Sequence, residues 1–460
     1  MKYFCPSAFL LLPLSSKSSR LLFAMVAVAA ISFSLEVSAH AQTESVLYTF
    51  FGTEGGQYPG STPVLDAAGN VYGTTTSGGL STCLGIGCGI VFELSPSGTS
   101  WNFSEVHTFS GGADGSQPLA GMIIDSAGNL YATTGLGGND HSCPVLGPGC
   151  GTVQEFSPSS NGTWMQKTLV EFNGAGTGWY PLDAVTMDAA GNLYGTTEYG
   201  GSTDFCNGEN GGCGIVFKLS PNSSGGWTET VLHVFHSYSG DGYVPFSGVA
   251  LDAAGNLYGT TVKGGASSHC VGFGCGIVYK LSPNSDGTWT ETILHTFTGG
   301  NDGGEPTAGV VFDSKGNLYG AALVGGKPTA CSSPGCGTIF EMSPKSNGSW
   351  SFHVIHTFTR SDGAGPWGTP VLDAKGNLYG TTQVGGDSTC NNGFGCGTVF
   401  KMSPSSTGWK FTTLHAFTNS PDGFEPEAGV ALDQSGNIFG TTVNGGLSTG
   451  CCGTVFEIKP

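Results

Sequence analysis

The chain reads as an all-β protein, a seven-bladed β-propeller of four-stranded blades whose ring is closed by pairing the N-terminal strand with the C-terminal blade. Three observations predict it. A D-x-x-G-N phrase recurs from Asp66, Asp125, Asp188, Asp252, Asp313, Asp373 and Asp433 at spacings of 59 to 64 residues, and self-similarity at a fixed period is the mark of a repeat architecture. With 79 glycines, 10% charged residues and no collagen-like triplet, the composition fits many short strands joined by tight turns. The ends of the repeat region are complementary fragments: residues 45–50 read as a fourth strand without its first three, and residues 453–458 as a third strand without its fourth. Pairing the two leaves the ring without an open edge.

Residues 1–41 differ in kind. Lys2, Lys17 and Arg20 precede an apolar run over 21–35 that ends in Ala39-His40-Ala41, which is the pattern of a signal peptide with an A-x-A cleavage site. Cleavage before Gln42 leaves residues 42–460 as a single propeller domain. The apolar run is shorter than the roughly 20 residues of a membrane span, so no stable span is expected after cleavage; an uncleaved anchor is the alternative. Losing this segment removes three of the 15 basic residues and one of the 33 acidic ones and leaves a formal charge of −20. Such a surface repels nucleic acid and anionic lipid. Arg360 is the one arginine that remains.

Within one repeat, four strand-like pieces follow in order over 248–251, 256–261, 276–281 and 289–297. Between the first two, Asp252 caps its own turn and Gly255 takes the left-handed position of a tight hairpin, so the repeated aspartate is read as structural. In the fourth piece a period of two places Trp289, Glu291, Ile293, His295 and Phe297 on one packed face. The histidine recurs as His107, His233, His295, His356 and His415, with Tyr48 and Glu171 in the two remaining copies. Five copies are more than one reaction centre needs, and a hydrogen-bonded structural role is expected.

The phrases G-N-L-Y-G-T-T, G-G, G-T-V-F-K-L-S-P and L-H-x-F stand almost intact, the N-L-Y-G-T-T of the first complete over 192–197, 256–261 and 377–382 and the third nearly repeated over 214–221 and 397–404. The arrangement resembles the GloVer tandem repeats of bacterial exported proteins over essentially all of residues 45–460. The resemblance implies the propeller and implies no catalytic activity. Family members often carry a sorting or anchor segment after the repeats; this sequence stops at Pro460, so a free secreted or periplasmic monomer is expected.

Fourteen cysteines fall two per repeat: Cys83 with Cys88, Cys143 with Cys150, Cys206 with Cys213, Cys270 with Cys275, Cys331 with Cys336, Cys390 with Cys396, and Cys451 with Cys452. An even count in an exported chain predicts disulfides, each across the loop between second and third strands; zinc held by pairs from separate blades is the alternative. The adjacent Cys451 and Cys452 fit either a vicinal disulfide or thiols that are free or bonded elsewhere.

Loops from strand four to strand one and from strand two to strand three share one face, and both are variable here, so a site is expected there. Trp179, Tyr180 and Trp367 are extra aromatics in the D-G-x-x-P stretch, and Tyr58, Tyr243 and Phe424 lie in equivalent loops beside Asp241, Asp362 and Asp422. Rings beside carboxylates suit stacking on sugars with hydrogen bonds to hydroxyls; the competing reading packs each ring on its own loop. The Asp-Gly pairs at 114, 241, 302, 362 and 422 read as turns, with calcium as the one weak cofactor candidate and no metal otherwise expected. No nucleophile, P-loop or metalloprotease motif is present, and the catalytic residues, if any, are not identified. The first functional expectation is a secreted, non-catalytic binding or scaffold protein for polysaccharide or cell-surface components. The alternatives are a carbohydrate-active or other hydrolytic enzyme working in the central funnel, and a structural envelope or matrix protein.

Overall fold

The computed structural model describes residues 42–459 except 53–54, 80–82, 84, 141–142, 144–148, 175, 203–204, 207–208, 238–239, 266–269, 271–272, 327–330, 332–333 and 447–451. The expected signal peptide, residues 1–41, lies outside them, as does Cys451. Seven four-stranded antiparallel sheets succeed one another along the chain. In the fourth blade the strands are Ala250–Leu251, Leu257–Thr261, Ile277–Pro283 and Trp289–Thr296, paired in that order from the axis outward. The innermost strands of the first three blades are Val64–Leu65, Met122–Ile124 and Thr186–Met187, and those of the last three are Val311–Phe312, Val371–Leu372 and Ala431–Leu432. The seventh blade is composite: Thr454–Lys459 takes Thr43–Thr49 as its outer neighbour, with Thr43 opposite Lys459 and Thr49 opposite Thr454. The ring closes as the two fragments predicted. Among the described residues the only helical element is the short 3-10 turn Asn391–Gly393, and no helix is long and apolar enough to cross a membrane.

The repeated aspartate builds its hairpin. Asp252 Oδ1 accepts the N–H groups of Ala254 and Asn256 at 2.9 Å, while Oδ2 accepts Asn256 Nδ2 at 2.7 Å and the Tyr258 hydroxyl at 3.1 Å. Gly255, at φ 82°, occupies the left-handed position that costs glycine nothing. Tyr258 in turn meets Trp350 of the next blade edge to face at 6.0 Å, as Tyr72 meets Trp164 and Tyr319 meets Trp409. One phrase therefore shapes a turn and also fastens neighbouring blades.

Second strands are buried throughout. Their central glycine lies under a ring of the third strand: a Cβ on Gly320 would stand 2.4 Å from Phe340 Cζ. The second blade departs in both places at once, with Ala132 opposite Gln154. The phenylalanine after each outer strand, such as Phe297, is fully buried and reaches the next blade, edge to face on Phe340 at 5.5 Å. Each such ring contributes roughly 2–3 kcal/mol through burial.

One expectation fails in the outer strand. Val278 pairs with His295 but Tyr279 pairs with Ile293, so Leu294 forms a bulge. The bulge shifts the alternation: Ile293, expected in the packed face, is 40% exposed, and Leu294 packs inward instead. The same register shift precedes the histidine position in every blade, at Leu47, Val106, Leu169, Leu232, Ile355 and Leu414 as well, which makes Val170 rather than Glu171 the residue in the histidine's place in the second blade. An extra residue re-aims a side chain, and here it turns the histidine toward the next loop: His107, His295 and His415 bond Asp114, Asp302 and Asp422 at 2.9 to 3.2 Å, and His356 Nε2 stands 3.2 Å from Asp362.

Candidate axial binding site

The site grows from a contact made seven times. A residue at positive φ precedes a proline at each junction: Tyr58, Gln117, Tyr180, Val244, Glu305, Gly365 and Glu425, with φ between 52° and 65°. Six of these are not glycine, and this conformation persists only where surroundings over-determine it. The surroundings are identifiable. The Tyr180 N–H donates to the carbonyl of Cys150, that of Glu305 to Cys275 and that of Tyr58 to Cys452, while the Tyr180 carbonyl accepts the N–H of Glu198. The proline ring then lies on the glycine after that cysteine: a Cβ on Gly276 would be 2.8 Å from Pro306 Cδ, and one on Gly453 would be 2.6 Å from Pro59 Cδ. Blades are thus clasped in pairs, the seam included.

Six disulfides hold the cysteine side of the clasp, Cys83–Cys88, Cys143–Cys150, Cys206–Cys213, Cys270–Cys275, Cys331–Cys336 and Cys390–Cys396, with Cα separations of 5.1 to 5.6 Å. Cys452 is disulfide-bonded as well and buried; the question left open for Cys451 falls outside the described residues.

The clasps surround a cavity of about 930 Å³ on the axis, lined by residues of all seven blades that lie on or just before the innermost strands. Hydrogen bonds between neighbours shape the wall. Thr260 Oγ1 donates to the Ala308 carbonyl at 2.8 Å and Thr441 Oγ1 to the Ser61 carbonyl at 3.0 Å, while the Gly309 N–H donates to Thr369 Oγ1 at 2.8 Å. The lining is mostly apolar, from Met122, Val185, Val249, Val310 and Val430. Aromatic rings are gathered in it: Tyr58, Tyr180, Phe246 and Trp367, the last two edge to face at 5.7 Å although they come from the fourth and sixth blades.

Three carboxyl groups face this space: Asp183, Glu198 and Glu427. Burial pushes Glu198 up to about 7, with only a weak opposing hydrogen bond at Tyr199; its residue is 8% exposed. Burial also raises Glu427, where a hydrogen bond from Gln383 Nε2 at 2.6 Å opposes it and the charge of Glu425 adds to it. Asp183 is raised by burial despite accepting the N–H groups of Gly248 and Ala184 at 2.8 Å. Beside Glu198, burial and that carboxyl push the Tyr180 hydroxyl up to about 12. A pocket with perturbed carboxyls among aromatic rings is the default site of a protein.

The loop residues singled out in the sequence divide by their offset from the proline. Tyr58 and Tyr180 directly before it and Trp367 directly after it line the cavity. Trp179 and Tyr243, two before it, do not: Trp179 is 2% exposed, stacks on Tyr199 at 4.6 Å and donates Nε1–H to the Gly211 carbonyl at 3.1 Å. The Tyr243 hydroxyl donates to the Phe273 carbonyl at 3.0 Å from a buried ring. Phe424, also two before, pairs with Asn444 through its backbone and packs on the apolar cluster around Phe456. Trp179 and Tyr243 are buried and hold their loops, whereas Phe424 is half-buried and borders a separate surface pocket with Asn391, Asn392 and Asn419 rather than the axial cavity. Asp362 and Asp422 are engaged by His356 and His415, and Asp241 accepts the His236 N–H at 3.0 Å. The cavity residues not foreseen are Asp183, Glu198, Phe246 and Glu427; the signal for Phe246 and Glu427 was the variability of the position after each proline, and for Glu198 that of the residue following each second strand.

A family model described as the Gloeobacter/Verrucomicrobia repeat matches residues 30–273 and 268–460. No curated protein matches the chain. Among solved structures, a protein from Lactobacillus plantarum is 14% identical, covering 82% of this chain and 88% of its own at a TM-score of 0.47. A luciferin-regenerating enzyme is 10% identical, covering 91% and 95% at a TM-score of 0.42. Likeness at these values carries nothing about ligand or chemistry.

Proposed function

The chain belongs to the Gloeobacter/Verrucomicrobia repeat family, and from that premise we propose that it is an exported, non-catalytic binding protein whose axial cavity takes the end of a saccharide chain or a similarly compact amphipathic ligand. The observation that carries this reading is the convergence of Tyr58, Tyr180, Phe246 and Trp367 with Glu198 and Glu427 in one cavity of about 930 Å³, a volume that suits a ligand of a few rings. Apolar sugar faces stack on the rings, and hydroxyls donate to the carboxyls. Six disulfides support export. Calorimetry of the mature chain against a panel of oligosaccharides and glycosides tests it: Trp367→Ala is expected to weaken binding about tenfold or more, and the absence of any binding across the panel removes the saccharide reading.

A hydrolytic reading draws on one observation, the Glu198 carboxyl at about 7, where a general acid or base is effective at neutral pH. Turnover of any glycoside by the native chain, lost in Glu198→Gln with binding kept, would establish it in place of the binding role.

A further inference from the structure

Four junctions set the repeated histidine against an aspartate of the next loop. His295 bonds Asp302 at 3.2 Å, Thr298 holds that aspartate through its backbone N–H and its hydroxyl, and the imidazole stacks on Phe352 of the next blade at 3.7 Å. His356 likewise stacks on Phe411 at 4.0 Å, with Thr359 bonded to Asp362. At the junction of the first and second blades the rings give way to Gln154 and Gln166, which bond each other. At the seam Glu44 replaces the ring, but His415 remains paired with Asp422 at 2.9 Å.

The junction of the third and fourth blades departs at three positions together. His236 stands where Ser110, Thr298, Thr359 and Thr418 stand elsewhere, Glu291 replaces the stacking phenylalanine, and Tyr279 replaces the phenylalanine of the third strand. The result is a polar pocket that its own groups do not satisfy. Asp241 and Glu291 can pair only by sharing a proton in one side-chain hydrogen bond, while His233 Nε2 and the Tyr279 hydroxyl are buried without a hydrogen-bond partner. Ligand atoms of His233, Asp241 and Glu291 lie within 4.8 Å of one another, with His233 Nε2 to Glu291 Oε1 at 3.9 Å. Tyr279 is fully buried, and its hydroxyl, pressed against Gly259 where a Cβ would stand 2.4 Å away, is subject to the charges of Glu291 and Asp241. A buried imidazole nitrogen facing two carboxyls that pair only through a shared proton is a costly arrangement for a fold to keep, and a cation at that point replaces the proton and satisfies all three.

We propose that His233, Asp241 and Glu291 bind one divalent transition-metal ion of the zinc type, with the Tyr279 hydroxyl donating to a ligand carboxylate or to a metal-bound water. One imidazole nitrogen and two carboxylates make a three-ligand set that leaves a position open, and the imidazole favours zinc over calcium, which takes six to eight oxygens. Zinc ligands in a tetrahedral set stand roughly 3.4 Å apart, so side-chain rotations of about 1 Å close the set. None of the four residues lines the axial cavity. The ion bridges two blades, His233 and Asp241 belonging to one side of the junction and Glu291 and Tyr279 to the other.

The test is zinc and calcium titration of the tag-free mature chain by calorimetry, with metal content by mass spectrometry after dialysis. One zinc per chain is expected, with calcium at least 100-fold weaker. Glu291→Phe, which installs the ring found at Phe352 and Phe411, abolishes the site. Asp241→Asn, which keeps the shape of the side chain, reads the same loss should Glu291→Phe perturb the far-ultraviolet spectrum. Tyr279→Phe keeps the site and weakens it roughly 10- to 100-fold, as loss of an outer-shell partner does. Absence of stoichiometric zinc in the native chain, zinc uptake undiminished in both carboxylate variants, or calcium bound as tightly as zinc overturns the proposal.

Discussion

Replacing Glu198 by glutamine is expected to make the protein more stable at neutral pH. The carboxyl ionises at about 7 in the folded chain against an ordinary 4.5, chiefly because burial disfavours its charge. The folded state therefore binds this proton more tightly than the unfolded state does. Linkage then has stability falling as pH rises from about 4.5 through 7, and the loss is complete above that window. At 1.36 kcal/mol per unit, the displacement is worth about 3 kcal/mol at pH 8. The residue is 8% exposed, so solvent screening removes little of this. Glutamine has the shape of the protonated acid and no charge. Urea unfolding of native chain and Glu198→Gln at pH 4, 6 and 8 should give equal stabilities at pH 4 and a variant more stable by about 3 kcal/mol at pH 8. Taking the difference between the two proteins cancels the other buried carboxyls. A difference independent of pH, or a variant less stable at pH 8, would refute the assignment of Glu198 as a charge held in the cavity at a cost to the fold, which is the pattern of a functional group.

Other outcomes follow from the packing. Trp179→Ala should destabilise by roughly 3–5 kcal/mol as a large buried side chain is lost while leaving the affinity of the folded protein for its ligand unchanged, the reverse of Trp367→Ala; thermal melts and calorimetry separate the two. Gly320→Ala drives a Cβ to 2.4 Å from Phe340 Cζ and should cost about 1–3 kcal/mol, whereas Gly316→Ala meets no atom within 4 Å and should cost about 1 kcal/mol for its positive φ; denaturation midpoints in the opposite order would contradict the packing argument. Removing the Cys270–Cys275 bridge by double alanine substitution should cost about 2 kcal/mol on the loop-entropy scale and also loosen Glu305, whose N–H rests on the Cys275 carbonyl, which amide hydrogen exchange at that position would register.

The ring was legible because its instructions are repeated. The Asp252 turn, the disulfide loops and the complementary ends each follow from local chemistry, and seven copies remove the ambiguity of any single one. The bulge at Leu294 was not legible, since a run of alternating residues carries no sign of which position its partner strand skips. Nor was the cavity. Its wall is made from residues about 60 positions apart, each ordinary in its own blade: Leu119, Leu182, Phe246 and Glu427 become a site only when the axis brings them together.

Trp179 shows what the sequence does encode once the fold is known. Trp179 and Trp367 looked alike, both aromatic, both in the same loop and both absent from the other copies. They differ in their offset from the proline, Pro181 and Pro366 respectively. Two residues before it, the backbone pairs with the extension of the second strand, as Trp179 does with Tyr199, and its side chain turns into the disulfide loop. There Gln57, Trp179 and Tyr243 all make the same bond, donating to a loop carbonyl, at Ile86, Gly211 and Phe273. The residue directly after the proline lines the axis in every blade, whereas of those directly before it only Tyr58 and Tyr180 do. The clasp holds this geometry in all seven blades, so the positions beside the proline can vary without loss of the ring. Variation there and regularity elsewhere suits a scaffold that can change what its axis presents while keeping its fold, and on the binding role proposed above Phe246, Trp367 and Glu427, rather than the exposed loop tips, are the positions where substitution is expected to alter the ligand.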